Sequence, residues 1–169
     1  MPCSSIKSLL GSRSRYRFGR PYSSGRSASE RLALVADLDP VVRELLEGAN
    51  FVGLATLLPD GAPHVTTVWA KIERDRPCFF TQPTSLKARN IAADPRVAIT
   101  VVDRDNPYQN GQLHGQVTET VEGGGALEII DRISRLYTGA DFPLRSGVVY
   151  LIEVSSSHST ELPFADTPG

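Results

Sequence analysis

Tight turns divide this chain into short apolar segments, and this pattern restricts its fold more than any other feature. Turn residues such as Pro59-Asp60-Gly61 and Asp75 to Pro77 stand between segments rich in Val, Ile, Thr and Phe. Because successive strands joined by short turns pair antiparallel, the pattern predicts an antiparallel sheet, and closure into a small barrel would remove its edges. The predicted strands cover residues 51–58, 63–73, 78–82, 96–103, 112–121 and 148–154, with 51–73 as a hairpin and a polar tail after Ser155.

Capping residues, prolines and glycines mark three helical segments between these strands. A capping residue before a proline begins the first helix, a proline ends the second, and three glycines break the chain before the third. The third helix also has apolar residues at helical spacing, namely Leu127, Ile130, Ile133 and Leu136. The boundary residues are Asp39-Pro40 with Gly48, residues 85–93 with Asp94-Pro95, and Gly123–Gly125 with Gly139.

Charge is distributed unevenly along the 169 residues. Residues 1–29 contain six basic residues, nine serines and no acidic residue, whereas the remaining 140 contain 12 basic and 19 acidic residues. The acidic body argues against nucleic-acid binding by the fold itself, because such binding requires clustered positive charge. We expect residues 1–37 to form a disordered extension or to reflect an early start codon. An organelle transit peptide and a nucleic-acid or membrane tether are the alternatives.

The cysteines and the apolar runs bear on the cellular compartment. Cys3 and Cys78 are too few and too far apart to indicate a disulfide or a metal site, which favours a reducing cytoplasm. Cys78 is expected to be a buried apolar residue. No apolar run approaches the length of about 20 residues that a transmembrane helix needs.

The segment from residue 79 to residue 102 predicts an anion site. It contains a strand, a polar loop, a helix of about three turns and a second strand. Thr84 or Ser85 can cap the helix, and Lys87 and Arg89 then lie in its first turns. Exposed N–H groups and basic side chains at such an end suit a phosphate, so the sequence predicts a phosphate-bearing cofactor.

Short segments spread through the chain carry a resemblance to a known family. They are Leu54-Ala-Thr56 with Pro59-Asp-Gly61, Thr66-Thr-Val-Trp69, Phe80-Thr81 with Ser85-Leu-Lys87-Ala-Arg-Asn90, Asp94-Pro-Arg96-Val, Asp105-Asn-Pro-Tyr108, Gly115, and Ile130-Asp-Arg-Ile133 with Leu136-Tyr-Thr-Gly139. In order and spacing they resemble the flavin-reductase-like split β-barrel family, which includes pyridoxamine-phosphate oxidase and the deazaflavin-dependent oxidoreductases. The last two segments are most similar to the branch that uses the deazaflavin coenzyme F420.

The resemblance implies a mainly β fold of the FMN-binding split-barrel type, with about six antiparallel strands and a few helices. It covers residues 38–160, between the basic arm and a C-terminal tail at 161–169. It implies that residues 66–69 lie along the cofactor ring and that the others contact the ribityl-phosphate. The cofactor-binding residues so implied are Thr66, Thr67, Val68, Trp69, Thr81, Gln82, Lys87 and Asn90. It also implies a homodimer with the cofactor between the subunits.

Two positions favour the deazaflavin over FMN. The FMN-using oxidase of this family has an arginine where this chain has Leu86, and another where it has Thr66. Thr, Asn and a single Lys suit the singly charged phosphodiester of coenzyme F420 better than a dianionic phosphate. The oxidase's C-terminal substrate motif is not recognisable after Val154, so vitamin B6 oxidation is not expected.

The function predicted is therefore an F420-dependent oxidoreductase that transfers a hydride between the reduced deazaflavin and a small electrophilic organic molecule. Such an enzyme needs no catalytic side chain of its own, because the cofactor supplies the chemistry. Tyr108 lines the substrate pocket or packs at the interface. The scattered His64, His114 and His158 do not predict a metal site. An FMN-dependent oxidase or reductase, or a non-catalytic cofactor or haem binder, is the alternative.

Overall fold

The computed structural model describes residues 36–164, so the predictions on the basic arm and on Cys3 lie outside the described residues. The described chain forms three α-helices and seven β-strands. The helices are α1 (Pro40–Glu47), α2 (Leu86–Ala93) and α3 (Gly123–Thr138). The strands are β1 (Val52–Leu57), β2 (Pro63–Val68), β3 (Ala70–Glu73), β4 (Arg76–Thr81), β5 (Arg96–Val102), β6 (Gln109–Val121) and β7 (Val148–Glu161).

All seven strands form one antiparallel sheet in the order β2-β1-β5-β6-β7-β4-β3. The two edge strands, β2 and β3, follow each other in the chain and are separated only by Trp69. The opposite edges of the sheet therefore meet at this residue, which requires the sheet to curl. The predicted mainly β split barrel is confirmed.

Strand number and strand length differ from the prediction. The segment 63–73 is divided at Trp69 into β2 and β3, because its first half pairs with β1 and its second half with β4. The polar tail predicted after Ser155 is wrong, since β7 continues to Glu161 and pairs with the first half of β6. Backbone pairing, rather than an apolar pattern, holds this polar half of the strand.

The helix ends agree with the sequence except at the start of α3. Asp39 Oδ1 accepts hydrogen bonds from the N–H groups of Val41 and Val42 at the start of α1. The glycines expected to break the chain at 123–125 form the first turn of α3 instead. Burial of Ala126 and of the isoleucines that follow offsets the low helix propensity of these glycines.

The core has two layers that share strand β7. Val148, Tyr150, Ile152 and Val154 face the barrel interior. Val149 and Leu151 face α3 on the other side. A strand buried on both faces has an almost continuous apolar sequence, as residues 148–154 do.

No helix among residues 36–164 is both long enough and apolar enough to cross a membrane. Cys78 is a free thiol in the layer beneath α3, and burial raises its pKa to about 12. The prediction that Cys78 is a buried apolar residue is confirmed.

Candidate functional site

We use the term opening for the region where strand β2 and the end of strand β4 leave the corner at Trp69. The pairing of β3 with β4 begins at Ala70 and Phe79, so Phe80 and Thr81 extend beyond it. Strand β2 ends at Val68, directly before the same corner, and pairs with β1 alone. Two of the sequence-predicted segments, Thr66–Trp69 and Thr81–Gln82, therefore border one opening.

The edge strand β2 directs its residues alternately into and out of the barrel. Thr66 pairs with the buried Leu54 and faces inward with it, whereas Thr67 pairs with Gly53 on the outer face and is exposed. Val68 is buried in the core. Edge strands leave every second backbone N–H and C=O unpaired, so β2 can offer backbone groups to a ligand along this edge.

The Thr66 hydroxyl is a buried polar group without a protein partner. Its Oγ1 atom has no hydrogen bond among the described residues. An unsatisfied buried hydroxyl costs about 1–3 kcal/mol, and native structures contain few of them. The atom is enclosed by protein atoms, so a ligand could bond to it only after a local shift of its neighbours.

Side chains converge at the start of helix α2 beside Thr81. Ser85 caps the helix, since its Oγ accepts a hydrogen bond from the N–H of Ala88 at 3.2 Å. Lys87 Nζ donates to Thr81 Oγ1 at 3.3 Å, and Thr81 Oγ1 donates to Ser85 Oγ at 3.1 Å. The ammonium group and the helix N-terminus thus lie together at one end of the opening, an arrangement that favours a negative charge.

Gln82 is held by the chain segment that precedes β7. Its Nε2 donates to the carbonyl oxygen of Ser146 at 2.9 Å, and Ser146 Oγ donates to its Oε1 at 3.1 Å. The side chain therefore has a defined orientation next to Thr81.

Asn90 is tied to the sheet. It is 2 % exposed, and its Nδ2 donates to Thr56 Oγ1 at 3.0 Å. Thr56 in turn donates to the carbonyl oxygen of His64 on β2 at 3.4 Å. These bonds hold helix α2 against strands β1 and β2 two residue pairs away from Thr66. A contact between Asn90 and a cofactor remains a prediction.

Trp69 packs at the corner where the sheet edges meet. Its ring stacks on Tyr137 with a centroid distance of 5.1 Å. The Tyr137 hydroxyl donates its one proton to the carbonyl oxygen of Asn50 at 2.5 Å and shares it with that of Ala70 at 3.1 Å, and it accepts from the Ala70 N–H. Burial raises the pKa of Tyr137, so it stays a neutral donor. This tyrosine links α3 to the residue Asn50 before β1 and to Ala70 on β3.

Tyr108 contacts none of these residues through a hydrogen bond or ring contact in the described chain. Its ring lies 5.3 Å from the ring of Phe164, and its carbonyl oxygen accepts from the Leu162 N–H. Residues 36–164 contain no group of three or more His, Cys, Asp or Glu side chains arranged for a metal ion.

Sequence reasoning missed two residues that bear on the site. Ser146 lies 64 positions from Gln82, and Tyr137 lies 67 positions from Ala70. Ser146 stands in no local pattern, and Tyr137 stands in the segment Leu136-Tyr-Thr-Gly139 of the resemblance, which does not reveal its contacts with Asn50 and Ala70. By contrast, Ser85 could be found because a capping residue stands directly before the helix it caps.

A curled antiparallel sheet with a capped helix beside its open corner defines the class of split β-barrel proteins. The sequence model of the pyridoxamine 5'-phosphate oxidase family matches residues 38–152, more than half of the chain. The chain belongs to this family.

Three solved structures illustrate the range of similar folds. An F420 reductase is 26 % identical with a TM-score of 0.64, and the match covers 72 % of this chain and 98 % of that one. A conserved hypothetical protein from Mycobacterium tuberculosis is 24 % identical with a TM-score of 0.65, covering 81 % and 96 %.

The third structure comes from Lactobacillus delbrueckii and is described as a candidate pyridoxamine 5'-phosphate oxidase. It is 16 % identical with a TM-score of 0.56, and the match covers 72 % of this chain and 93 % of that one. At identities below 25 %, it and the mycobacterial protein share the fold alone. No curated protein matches the sequence significantly.

Proposed function

We propose that this protein is an oxidoreductase that binds coenzyme F420 in the opening between β2 and β4. It transfers a hydride between the reduced deazaflavin and a small electrophilic organic molecule. The observation that carries the proposal is the convergence of Lys87, Thr81 and the capped start of α2 at the opening. The similarity to an F420 reductase supports it.

The residues at the start of α2 suit one negative charge. Lys87 supplies a single ammonium group, and Leu86 and Thr66 stand where the FMN-using oxidase resembled here has arginines. The phosphodiester of coenzyme F420 carries one charge, whereas the terminal phosphate of FMN carries up to two. Lys87 and the N–H groups at the start of α2 would bind that group through charge-assisted hydrogen bonds.

The protein's contribution to the reaction is to hold the cofactor and to orient the acceptor molecule. Strand β2 would present backbone groups and the Thr66 hydroxyl to the edge of the ring, while Gln82 would contact the ribityl chain. When bound, the deazaflavin supplies the hydride chemistry. Holding the acceptor about 3–3.5 Å from the ring carbon would provide the remaining catalysis through orientation.

We further propose a cytoplasmic homodimer in which each site lies between two subunits. Val65 supports the dimer. It is an apolar residue next to Thr66 in the sequence, lies on the outer face of β2 and is 65 % exposed, so a second subunit could cover it. The free Cys78 thiol is compatible with a reducing compartment. Light scattering at micromolar concentration should give twice the monomer mass, and a monomer with full cofactor affinity would contradict the dimer.

Fluorescence titration with coenzyme F420 and, separately, with FMN tests the cofactor. We expect tighter binding of F420, followed by turnover of an enone or a quinone when the reduced coenzyme is supplied. Tighter binding of FMN would replace the proposal with an FMN-dependent oxidase or reductase. F420 binding without turnover of any acceptor would identify a carrier instead of an enzyme.

The Lys87→Ala variant tests the phosphate contact. It should weaken F420 binding by about 1.5–3 kcal/mol, the value of a hydrogen bond to a charged group. Lys71→Ala, on strand β3, is the matched control and should bind F420 as the wild type does. An unchanged dissociation constant in Lys87→Ala would remove this lysine from the site.

A further inference from the structure

We propose that the α3–β7 loop (residues 139–147) is a wall of the cofactor site, and that the Asp131–Arg145 ion pair positions the Gln82 carboxamide there. Asp131 and Arg145 are positioning residues, since they act through Ser146 and Gln82. This inference rests on the proposed cofactor site and extends it to residues outside β2, β4 and α2.

The orientation of the Gln82 side chain follows from its partners. A backbone carbonyl can only accept, so the amide nitrogen of Gln82 must face the oxygen of Ser146, 2.9 Å away. The Ser146 hydroxyl then donates to the amide oxygen at 3.1 Å. Both ends of the carboxamide are held by one residue of the loop.

The loop itself is attached to α3 through one carboxylate. Asp131 Oδ1 accepts from Arg145 Nη1 at 2.7 Å and from the Phe142 N–H at 3.1 Å, while Oδ2 accepts from Arg145 Nη2 at 3.1 Å. The Asp131 side chain is 11 % exposed, so this two-pronged pair is shielded on the carboxylate side. Ser146 follows Arg145 directly, and its position depends on this attachment.

Gly147 provides an independent sign of close approach between the loop and the site. A Cβ atom at this position would lie 2.8 Å from Cδ1 of Ile130 and 3.7 Å from the carbonyl oxygen of Thr81. The loop backbone therefore packs closely against the Ile130 side chain of α3, and the end of β4 lies within ordinary van der Waals distance.

Held in this way, the Gln82 carboxamide keeps capacity for a ligand. The hydrogen bonds with Ser146 use one amide N–H and one lone pair of Oε1, which leaves the second N–H and another lone pair for a ligand. A hydroxyl group both donates and accepts, so the chemistry suits a polyhydroxylated chain such as the one that joins the ring to the phosphate. Fixing the amide before binding lowers the entropy cost of that contact.

The first test needs no cofactor. In the free protein, the two side-chain amide protons of Gln82 should give separate NMR resonances, and the one bonded to the Ser146 carbonyl should be shifted from the value of a mobile glutamine. Arg145→Met and Ser146→Ala should both collapse these resonances towards those of a mobile glutamine. Arg132→Met is the matched control, because it removes an ion pair to Glu73 from the same helix without touching the loop. Unchanged Gln82 resonances in Arg145→Met would overturn the inference.

The second test measures the dissociation constants of coenzyme F420 and FMN. For the cofactor that binds, Arg145→Met should weaken binding about three- to tenfold, as expected for one neutral hydrogen bond. The effect should be absent in a Gln82→Met background, because the pair acts through Gln82. Equal losses in both backgrounds, or a similar loss in Arg132→Met, would overturn the inference.

The two tests separate the two proposals. If FMN binds tightly and F420 does not, the F420 function fails while the positioning role is decided by the FMN measurements. If the Gln82 resonances respond as expected but neither cofactor binds the wild type, the cofactor site and the role of the loop in it both fail.

Discussion

Thr66 carries the one buried side-chain polar atom without a hydrogen-bond partner among the described residues. Such an atom lowers the stability of the free protein and raises its affinity for a ligand that supplies the partner. The same hydroxyl should therefore have opposite effects on folding and on binding, which distinguishes a ligand-binding residue from an ordinary strand threonine.

The Thr66→Val variant tests whether this hydroxyl has opposite effects on folding and on binding. Valine has nearly the same shape and also suits a strand, so the free protein should be unchanged or about 1 kcal/mol more stable in urea unfolding. Cofactor binding should weaken by about 0.5–1.5 kcal/mol in fluorescence titration. Thr120→Val, at an exposed position of β6, should change neither quantity. Unaltered cofactor affinity in Thr66→Val would exclude its hydroxyl from the site.

At the scale of elements, helix α2 depends on its cap. Ser85→Ala removes the acceptor for the Ala88 N–H and should lower the free energy of unfolding by about 0.5–2 kcal/mol. Thr84→Ala is the control, since Thr84 is exposed and has no part in the cap. Chemical unfolding of both variants gives the comparison, and an equal loss in the two would contradict the assignment of the cap to Ser85.

The stability that the Asp131–Arg145 ion pair of the α3–β7 loop contributes should depend on pH. Hydrogen bonds from Arg145 lower the pKa of the Asp131 carboxyl. A carboxyl whose pKa is lowered in the folded state adds stability above its unfolded pKa of about 3.9, and that stability is lost as the pH falls through the folded pKa. Wild type should therefore exceed Asp131→Asn in urea midpoint at pH 7, and the difference should shrink below about pH 4. A difference that stays constant from pH 7 to pH 2 would rule out this linkage.

Element ends marked by local chemistry could be predicted from the sequence, and those set by distant pairing could not. Asp39 and Ser85 predict the starts of the helices that follow them, because an N-cap bonds to backbone groups within three residues. The division at Trp69 contains no turn residue, since the chain stays extended while its partner changes from β1 to β4. The polar half of β7 likewise depends on its partners in β6, which lie 42 to 52 positions away.

The candidate site divides in the same way. Lys87 is predicted from its place in the first turn of a capped helix, whereas Thr81 is implied only by the family resemblance. Asn90 was predicted as a donor to the cofactor, but helical spacing alone does not indicate that its amide is used by Thr56 on another element. The contact between Gln82 and Ser146 depends on a loop fixed by residues 14 positions apart.

Across the whole described chain, Tyr137 links helix α3 to the segment before β1 and to strand β3. Its hydroxyl binds the carbonyl oxygen of Asn50 before β1 and both backbone groups of Ala70 on β3. Tyr137→Phe keeps the stacking on Trp69 but leaves these groups without a partner. It should lower the free energy of unfolding by about 1–3 kcal/mol.

Calorimetry at matched protein concentration measures this loss. Tyr108→Phe is the control, because the described contacts of Tyr108 are made by its ring and backbone. A Tyr137→Phe variant as stable as the wild type would show that the corner does not depend on this hydroxyl.

We propose that an anionic redox coenzyme lies in the opening with its phosphate at the start of α2. A crystal structure determined with excess coenzyme F420 would show where the coenzyme binds. We predict the deazaflavin ring along Thr66–Trp69 and a phosphate oxygen within hydrogen-bond distance of Lys87 Nζ. An opening filled by side chains of the assembled pair, or a coenzyme bound elsewhere, would contradict the claim.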